Sequence, residues 1–178
     1  MNILNLAFQV GISKKLKRSG WVEKNIKNPE SVAEHAFRTI VLAMVLASSL
    51  NVDQAKLIKM AIIHDLGEIS TGDLIVQRGK NLDLEARKKK EKIEKEAIKS
   101  ILWEYEEEYY KLFNEMIERK TKEAIVFWEI DKLEMVIQAY EYQKEQKVDL
   151  SEFFITAESV IKNPLLKEAL DDLKKKIS

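Results

Sequence analysis

The sequence predicts an all-α protein, a single bundle of about seven to eight helices. Three observations carry this expectation. Glycine and proline are scarce, five and two in 178 residues, and strand-and-turn architectures need more of both. Apolar residues recur every three to four positions along most of the chain. Cap signals stand where those periodic stretches begin. Apolar residues make up 46% of the chain, enough for a core, which excludes a disordered protein. The 30 Lys+Arg balance the 30 Asp+Glu, so there is no overall charge to attract a nucleic-acid polymer or an anionic membrane. No cysteine is present, which excludes disulfides, Cys-ligated zinc and iron–sulfur clusters.

The elements follow in order. Leu4, Phe8, Ile12 and Leu16 repeat at helical spacing and predict a helix over 3–18, ended by Gly20. A polar connector over 24–30 contains Pro29. Ser31 and Glu34 form a capping box that opens a helix to about Leu50. Apolar nearly all round, this helix is expected at the centre. Its longest apolar run, Ile40–Leu50, is about half of the ~20 residues a membrane span needs. With no secretory signal, the expectation is a cytoplasmic protein without a membrane partner. Asp53 can cap a third helix through about Glu68. Residues 69–82, with Gly72 and Gly79, read as a loop of functional length. From Asp83 a charged helix runs to about Leu102, with Ala86, Ile93, Ala97 and Ile101 inward and the run Arg87–Lys95 in solvent. Helices over 104–118, from Thr121 past Tyr140, over 152–161 and from Asn163-Pro164 complete the chain. Trp103, Tyr105, Tyr109, Tyr110, Phe113, Phe127, Phe153 and Phe154 supply either core or a partner surface.

The chain has two histidines, His35 and His64. Taken singly, each reads as a hydrogen-bonded core residue. Their neighbours change that reading. Asp65 follows His64 within Met60–Leu66, and Asp131 closes the apolar stretch that begins at Ala124. Isolated carboxylates are almost never buried unless paired or metal-bound. Two acids and two imidazoles on buried helix faces therefore point to a shared cation. His64 and Asp65 project ~100° apart around a helix axis, so an ion must lie between their directions, with His35 and Asp131 arriving from neighbouring helices. A set without thiolates suits a divalent ion such as Mn, Co, Ni, Zn, Fe or Mg and leaves room for water.

The ordered set His35, His64-Asp65, Asp131 resembles the H…HD…D signature of the HD-domain metal phosphohydrolases. The stretches Glu30-Ser-Val-Ala-Glu-His35, His64-Asp65-Leu-Gly-Glu68 and Gly72-Asp73 are similar to the 5'-deoxynucleotidase subfamily, as are Lys17-Arg18-Ser-Gly-Trp21 and Asp131-Lys132. The likeness covers residues 1–145, and it implies one HD domain over 1–178 with C-terminal helices over 152–177. It further implies that His35, His64, Asp65 and Asp131 hold a divalent metal. The implied substrates are deoxyribonucleoside 5'-monophosphates, hydrolysed to deoxynucleoside and phosphate by a homodimer. On the same ground Glu68 is a catalytic acid or base, one turn beyond His64 on the same helix face. Asp73 contacts substrate or assists catalysis, Arg18 orients the phosphate, and Trp21 lines the sugar pocket. Leu74 joins Asp73 at the substrate, and Glu68, Asp73 and Leu74 form the set for a second ion. Read without the resemblance, Glu68 is a salt-bridge residue, Asp73 a turn residue, Arg18 a solvated charge beside Lys17, and Trp21 a packing residue. The proline that relatives often carry after the Gly-Asp pair is absent from Gly72-Asp73-Leu-Ile-Val-Gln. Two other readings stand beside this one: an HD-type hydrolase of triphosphates, cyclic dinucleotides or alarmones, and a non-catalytic helical module with a structural ion.

Overall fold

The computed structural model describes residues 2–102 and 106–177, so the expectations for Trp103 and Tyr105 lie outside the described residues. The helices run in the order α1 (Ile3–Gly11), a 3-10 turn (Ile12–Lys14), α2 (Ser19–Glu23), α3 (Val32–Leu50), α4 (Gln54–Ile63), α5 (Glu68–Thr71), α6 (Leu84–Ile101), α7 (Glu106–Glu118), α8 (Lys122–Gln146), α9 (Ser151–Val160) and α10 (Pro164–Lys175). The expected cap residues start them. Ser31 and Glu34 make the reciprocal capping box. Asp53, Asp83, Thr121 and Asn163 each accept a backbone N–H two or three residues on. These side chains satisfy donors that a helix start leaves free.

The central helix is α8, not α3. Along α8 twelve residues from Ala124 to Tyr142 are buried, and it packs against α3, α4, α7, α9 and α10. A helix enclosed on most sides shows no single apolar stripe. In α3 the buried stripe is Val32, His35, Thr39, Ala43, Ala47 and Leu50, while Phe37, Met44 and Val45 are exposed. By length and composition alone α3 could cross a membrane, but its inner stripe is committed to α4 and α8.

Four other expectations change. The first helix stops at Gly11, because Lys17 bridges to Ser31 and Arg18 N–H donates to Glu30 O at 3.1 Å. That extended piece lets α2 start at Ser19. Gly20 lies inside α2, where a Cβ would meet the Phe153 ring at 3.2 Å. The third helix ends at Ile63; Leu66 and Glu68 donate to carbonyls three residues back, a tighter turn than an α-helix. The loop over 69–82 holds α5 and an antiparallel hairpin, β1 (Gln77–Arg78) with β2 (Asn81–Leu82). Gly79 supplies the left-handed φ of +54° at its two-residue turn. Finally, Phe113, Phe127, Phe153 and Phe154 are buried, so these aromatics fill the core. The exposed large apolar side chains instead include Leu4 and Phe8 on α1 and Phe37 and Val45 on α3.

The charged helix α6 also faces inward where solvent was expected. Glu94, Ala97 and Ile98 are buried, whereas Ile93 is exposed. Gly67 sets this close approach: a Cβ there would lie 2.8 Å from Glu94 Cβ and 3.1 Å from its Cα. The Gly67→Ala variant should therefore lose about 1–3 kcal/mol of stability from overpacking, measured by urea unfolding.

Candidate metal centre

Three helices aim polar side chains at one interior point. His35 sits one turn into α3, on its buried stripe. His64 is the first residue beyond α4, and Asp65 begins the tight turn into α5. Asp131 lies on the buried face of α8. His35 Nε2 is 3.2 Å from His64 Nε2 and 3.0 Å from Asp131 Oδ1. His64 Nε2 is 3.1 Å from Asp65 Oδ2 and 3.7 Å from Asp131 Oδ1. Asp65 Oδ2 lies 3.7 Å from His35 Nε2. Donors held about 2.0–2.2 Å from one ion sit about 2.8–3.6 Å from one another in octahedral or tetrahedral geometry. Three of the separations fall in that span and the two of 3.7 Å lie just beyond it. His35, His64 and Asp131 offer donors within 4.8 Å of one another, a set that fits a divalent cation, with Asp65 Oδ2 beside it and bonded to Arg18.

The electrostatics make the same demand. Burial raises Asp131, but Lys132 and His35 outweigh it and hold the carboxyl well below the usual carboxylate range. Burial likewise raises Asp65, and His64 with Arg18 outweighs it in the same direction. His35 is pushed up to about 10: burial and Arg18 lower it, yet Glu134 and Asp131 prevail. The carboxylates thus draw positive charge to the point where the two imidazoles meet.

Arg18, Asp73 and Glu68 stand at the front of this cluster. Arg18 Nη1 is 2.8 Å from Asp65 Oδ2, 3.6 Å from Asp73 Oδ1 and 3.8 Å from Glu68 Oε2. It is therefore no solvated charge. Asp73 accepts the Ser19 N–H, and its carbonyl accepts the Ser19 hydroxyl, tying the 69–82 segment to the start of α2. Glu68 is fully buried and lies on α5, not one turn along the helix that precedes His64. Burial, Asp65 and Asp73 raise its carboxyl well above the ordinary range, against Lys90. Between Glu68 and Asp73 the positive charge is the Arg18 guanidinium. Trp21 both packs and lines the site. Its ring stacks on Phe153 at 4.3 Å, its Nε1–H donates to Glu30 at 2.8 Å, and its edge borders a cavity of about 630 Å³. Leu74 borders the same cavity with an exposed apolar side chain.

Several participants escaped sequence reasoning. Lys90 Nζ reaches Glu68 Oε1 at 2.6 Å and Glu94 Oε1 at 3.4 Å. Nothing in a run of lysines and glutamates marked it. Lys132 Nζ lies 2.8 Å from Asp131 Oδ2. Glu134 bonds His35 Nδ1 and accepts from Arg38 Nε at 2.8 Å. Here a signal existed: Glu134 and Arg38 each lie three residues beyond a site residue, hence near it on a helix.

A helical bundle whose interior gathers two imidazoles and two carboxylates, with His64, Asp65 and Asp131 at the wall of a cavity, defines a class: helical proteins with a candidate divalent-cation centre. The chain belongs to the HD domain family, whose model matches residues 10–174. It is 35% identical over 173 residues to the 5'-deoxynucleotidase HDDC2 of Dictyostelium discoideum, covering 88% of each chain. With the 5'-deoxynucleotidase HDDC2 of Danio rerio it shares 34% over 169 residues, covering 92% of this chain and 82% of that one. Among solved structures, a conserved hypothetical protein from Pyrococcus furiosus superposes with a TM-score of 0.80 at 35% identity, covering 97% of this chain and 99% of that one.

Burial raises Glu94 to about 7, with Lys90 opposing and Asp65 assisting. A carboxyl raised on folding binds its proton more tightly in the native state, so it subtracts stability as pH climbs from its unfolded value through the folded one. The Glu94→Gln variant lacks that titration. Relative to wild type it should gain about 1–3 kcal/mol between pH 5 and pH 8, measured by denaturant unfolding across that range.

Proposed function

We propose that this protein is a metal-dependent phosphomonoester hydrolase, a 5'-deoxynucleotidase that converts deoxyribonucleoside 5'-monophosphates to deoxynucleosides and phosphate. The observation that carries the reading is the convergence of His35, His64, Asp65 and Asp131 beside Arg18, with all but His35 lining a cavity of about 630 Å³. That volume falls within the range of small-ligand pockets. The similarity to 5'-deoxynucleotidases supports the substrate class.

The four side chains are the ligands in this reading. A bound divalent ion supplies Lewis-acid polarisation of the phosphoryl group and a more acidic water. Arg18 binds the phosphate dianion, for which its planar fork is shaped. Asp73 aims it by bonding the start of α2 while lying beside the guanidinium. Burial and two neighbouring carboxylates raise the Glu68 carboxyl against Lys90 and Arg18, which favours its protonated form. In that form Glu68 delivers its proton to the departing 5'-oxygen as a general acid. Its Oε2, buried without a hydrogen-bond partner, lies toward Arg18. Trp21 forms a wall of the sugar pocket and Leu74 its rim. Arg18 stands 3.8 Å from Glu68 and 3.6 Å from Asp73, the pair that a second ion would share.

Homodimer formation belongs to the same proposal, and so does a cytoplasmic setting, where nucleotide pools are turned over. The exposed Leu4, Phe8, Phe37 and Val45 support the dimer, because large apolar side chains gathered on outward helix faces mark contact surfaces. Sedimentation should show a dimer for wild type and a monomer for Phe37→Glu/Val45→Glu. A monomeric wild type rejects the dimer.

The catalytic proposal is tested by phosphate release from paired deoxyribo- and ribonucleoside monophosphates across a set of divalent ions. Turnover should require an ion and favour the deoxy substrates. Asp65→Ala should lose bound metal and activity together. Glu68→Gln should keep the metal and lose about 10²–10⁴ in kcat. Normal turnover by Asp65→Ala, or turnover confined to triphosphates or cyclic dinucleotides, overturns the reading.

A further inference from the structure

An imidazole can serve a cation with only one nitrogen, and its other nitrogen decides which. A neutral ring places its single proton on Nδ1 or Nε2. Both histidines of the centre present Nε2 to the cluster, so both need the proton on Nδ1. For His64 the backbone provides this: Nδ1 lies 2.9 Å from Ala61 O, a carbonyl that can only accept. For His35 the partner is a side chain. Its Nδ1 bonds Glu134 Oε2, while its Nε2 lies 3.0 Å from Asp131 Oδ1 and 3.2 Å from His64 Nε2.

Glu134 is itself held in place. It is fully buried, and its second oxygen accepts from Arg38 Nε at 2.8 Å. The same guanidinium donates to Gln138 Oε1 at 2.6 Å and Glu141 Oε2 at 2.8 Å. Glu134, Gln138 and Glu141 follow one another at helical spacing along α8, so Arg38 of α3 clasps one face of that helix. The clasp therefore joins the two helices that carry His35 and Asp131.

We propose that Glu134, gripped by Arg38, is a positioning residue that fixes His35 as the Nδ1–H tautomer and thereby sets the affinity of the centre for its divalent ion. The inference rests on the reading of the four-residue cluster as a cation site. A carboxylate behind a ligating imidazole raises its basicity and locks its ring, and losing such a partner typically costs 10–100-fold in metal affinity. A rival reading would place a second cation among Glu30, His35 and Glu134, whose donor atoms lie within 4.8 Å of one another. The bonds argue against it. Glu134 already takes the Arg38 guanidinium, and Glu30 already takes the Trp21 N–H at 2.8 Å.

The test is metal binding without substrate. Full-length protein is stripped with chelator and titrated with Mn²⁺ or Co²⁺ by equilibrium dialysis, with circular dichroism confirming the fold. Glu134→Ala should bind the ion about 10–100-fold more weakly than wild type. Glu134→Gln, which keeps an acceptor without the charge, should fall between them and serves alone if the alanine variant does not fold. Arg38→Met should show a smaller loss. Folded Glu134 variants with wild-type affinity overturn the inference and leave the cation site standing, even if they are less stable. A fall from two bound ions to one in Glu134→Ala overturns it in favour of the rival site. A wild type that binds neither ion overturns this inference and the cation reading together.

Discussion

Charge burial governs this structure. His35, His64, Asp65, Glu68, Asp131 and Glu134 are all buried where α3, the α4–α5 turn and α8 meet. Removing ionised carboxylates from water costs several kcal/mol each unless another charge answers them. Here each carboxyl has a cationic side chain beside it. Asp65 has Arg18, Asp131 has Lys132, Glu68 has Lys90 and Glu134 has Arg38. The two imidazoles meet among these pairs, His35 3.0 Å from Asp131 and His64 3.1 Å from Asp65, where the same acids would hold a divalent cation. Such a cluster is tolerated in a core only when its partners are positioned as closely as the acids themselves, so the helix packing around it has little freedom to differ.

That requirement explains the departures from regular helix. The chain leaves helical geometry after Lys14, and the bridge of Lys17 to Ser31 lets Arg18 turn inward toward Asp65. It leaves it again at His64. A continuous helix would carry Asp65 about 100° away from His64 around the axis. The tightened turn instead leaves His64 Nε2 and Asp65 Oδ2 3.1 Å apart. Both departures lie at the cluster, which is where local rules are expected to yield to function.

How much of this could be read beforehand follows from the range of each signal. Caps are local, and Ser31, Asp53, Thr121 and Asn163 all start the helices they announce. The four clustered residues His35, His64, Asp65 and Asp131 were legible because acids and histidines inside apolar stretches are costly and therefore conspicuous. Lys90 and Glu94 were not. In a run such as Arg87–Lys95 every position has the same character, and which lysine turns inward depends on where Gly67 lets α6 approach. The relative placement of α3 and α8 was misjudged for a similar reason. Both are rich in apolar residues, and only tertiary packing decides that α8 is enclosed while Phe37 and Val45 of α3 face out.

The cluster has two sides that do different work. Behind His35, Arg38 bonds Glu134, Gln138 and Glu141, and these acceptors are well paired. A network so satisfied holds geometry and has no spare capacity for a ligand. In front, satisfaction is incomplete. Glu68 Oε2 is buried without a hydrogen-bond partner, a condition that costs about 1–3 kcal/mol. Arg18 divides one nitrogen among three carboxylates at 2.8, 3.6 and 3.8 Å. An incoming phosphate would relieve both conditions, since it offers the guanidinium a better anion and presents Glu68 with an oxygen to which it can donate. In the proposed reading the fully bonded side would hold the ion's ligands in place, and the side left short of partners would receive the substrate.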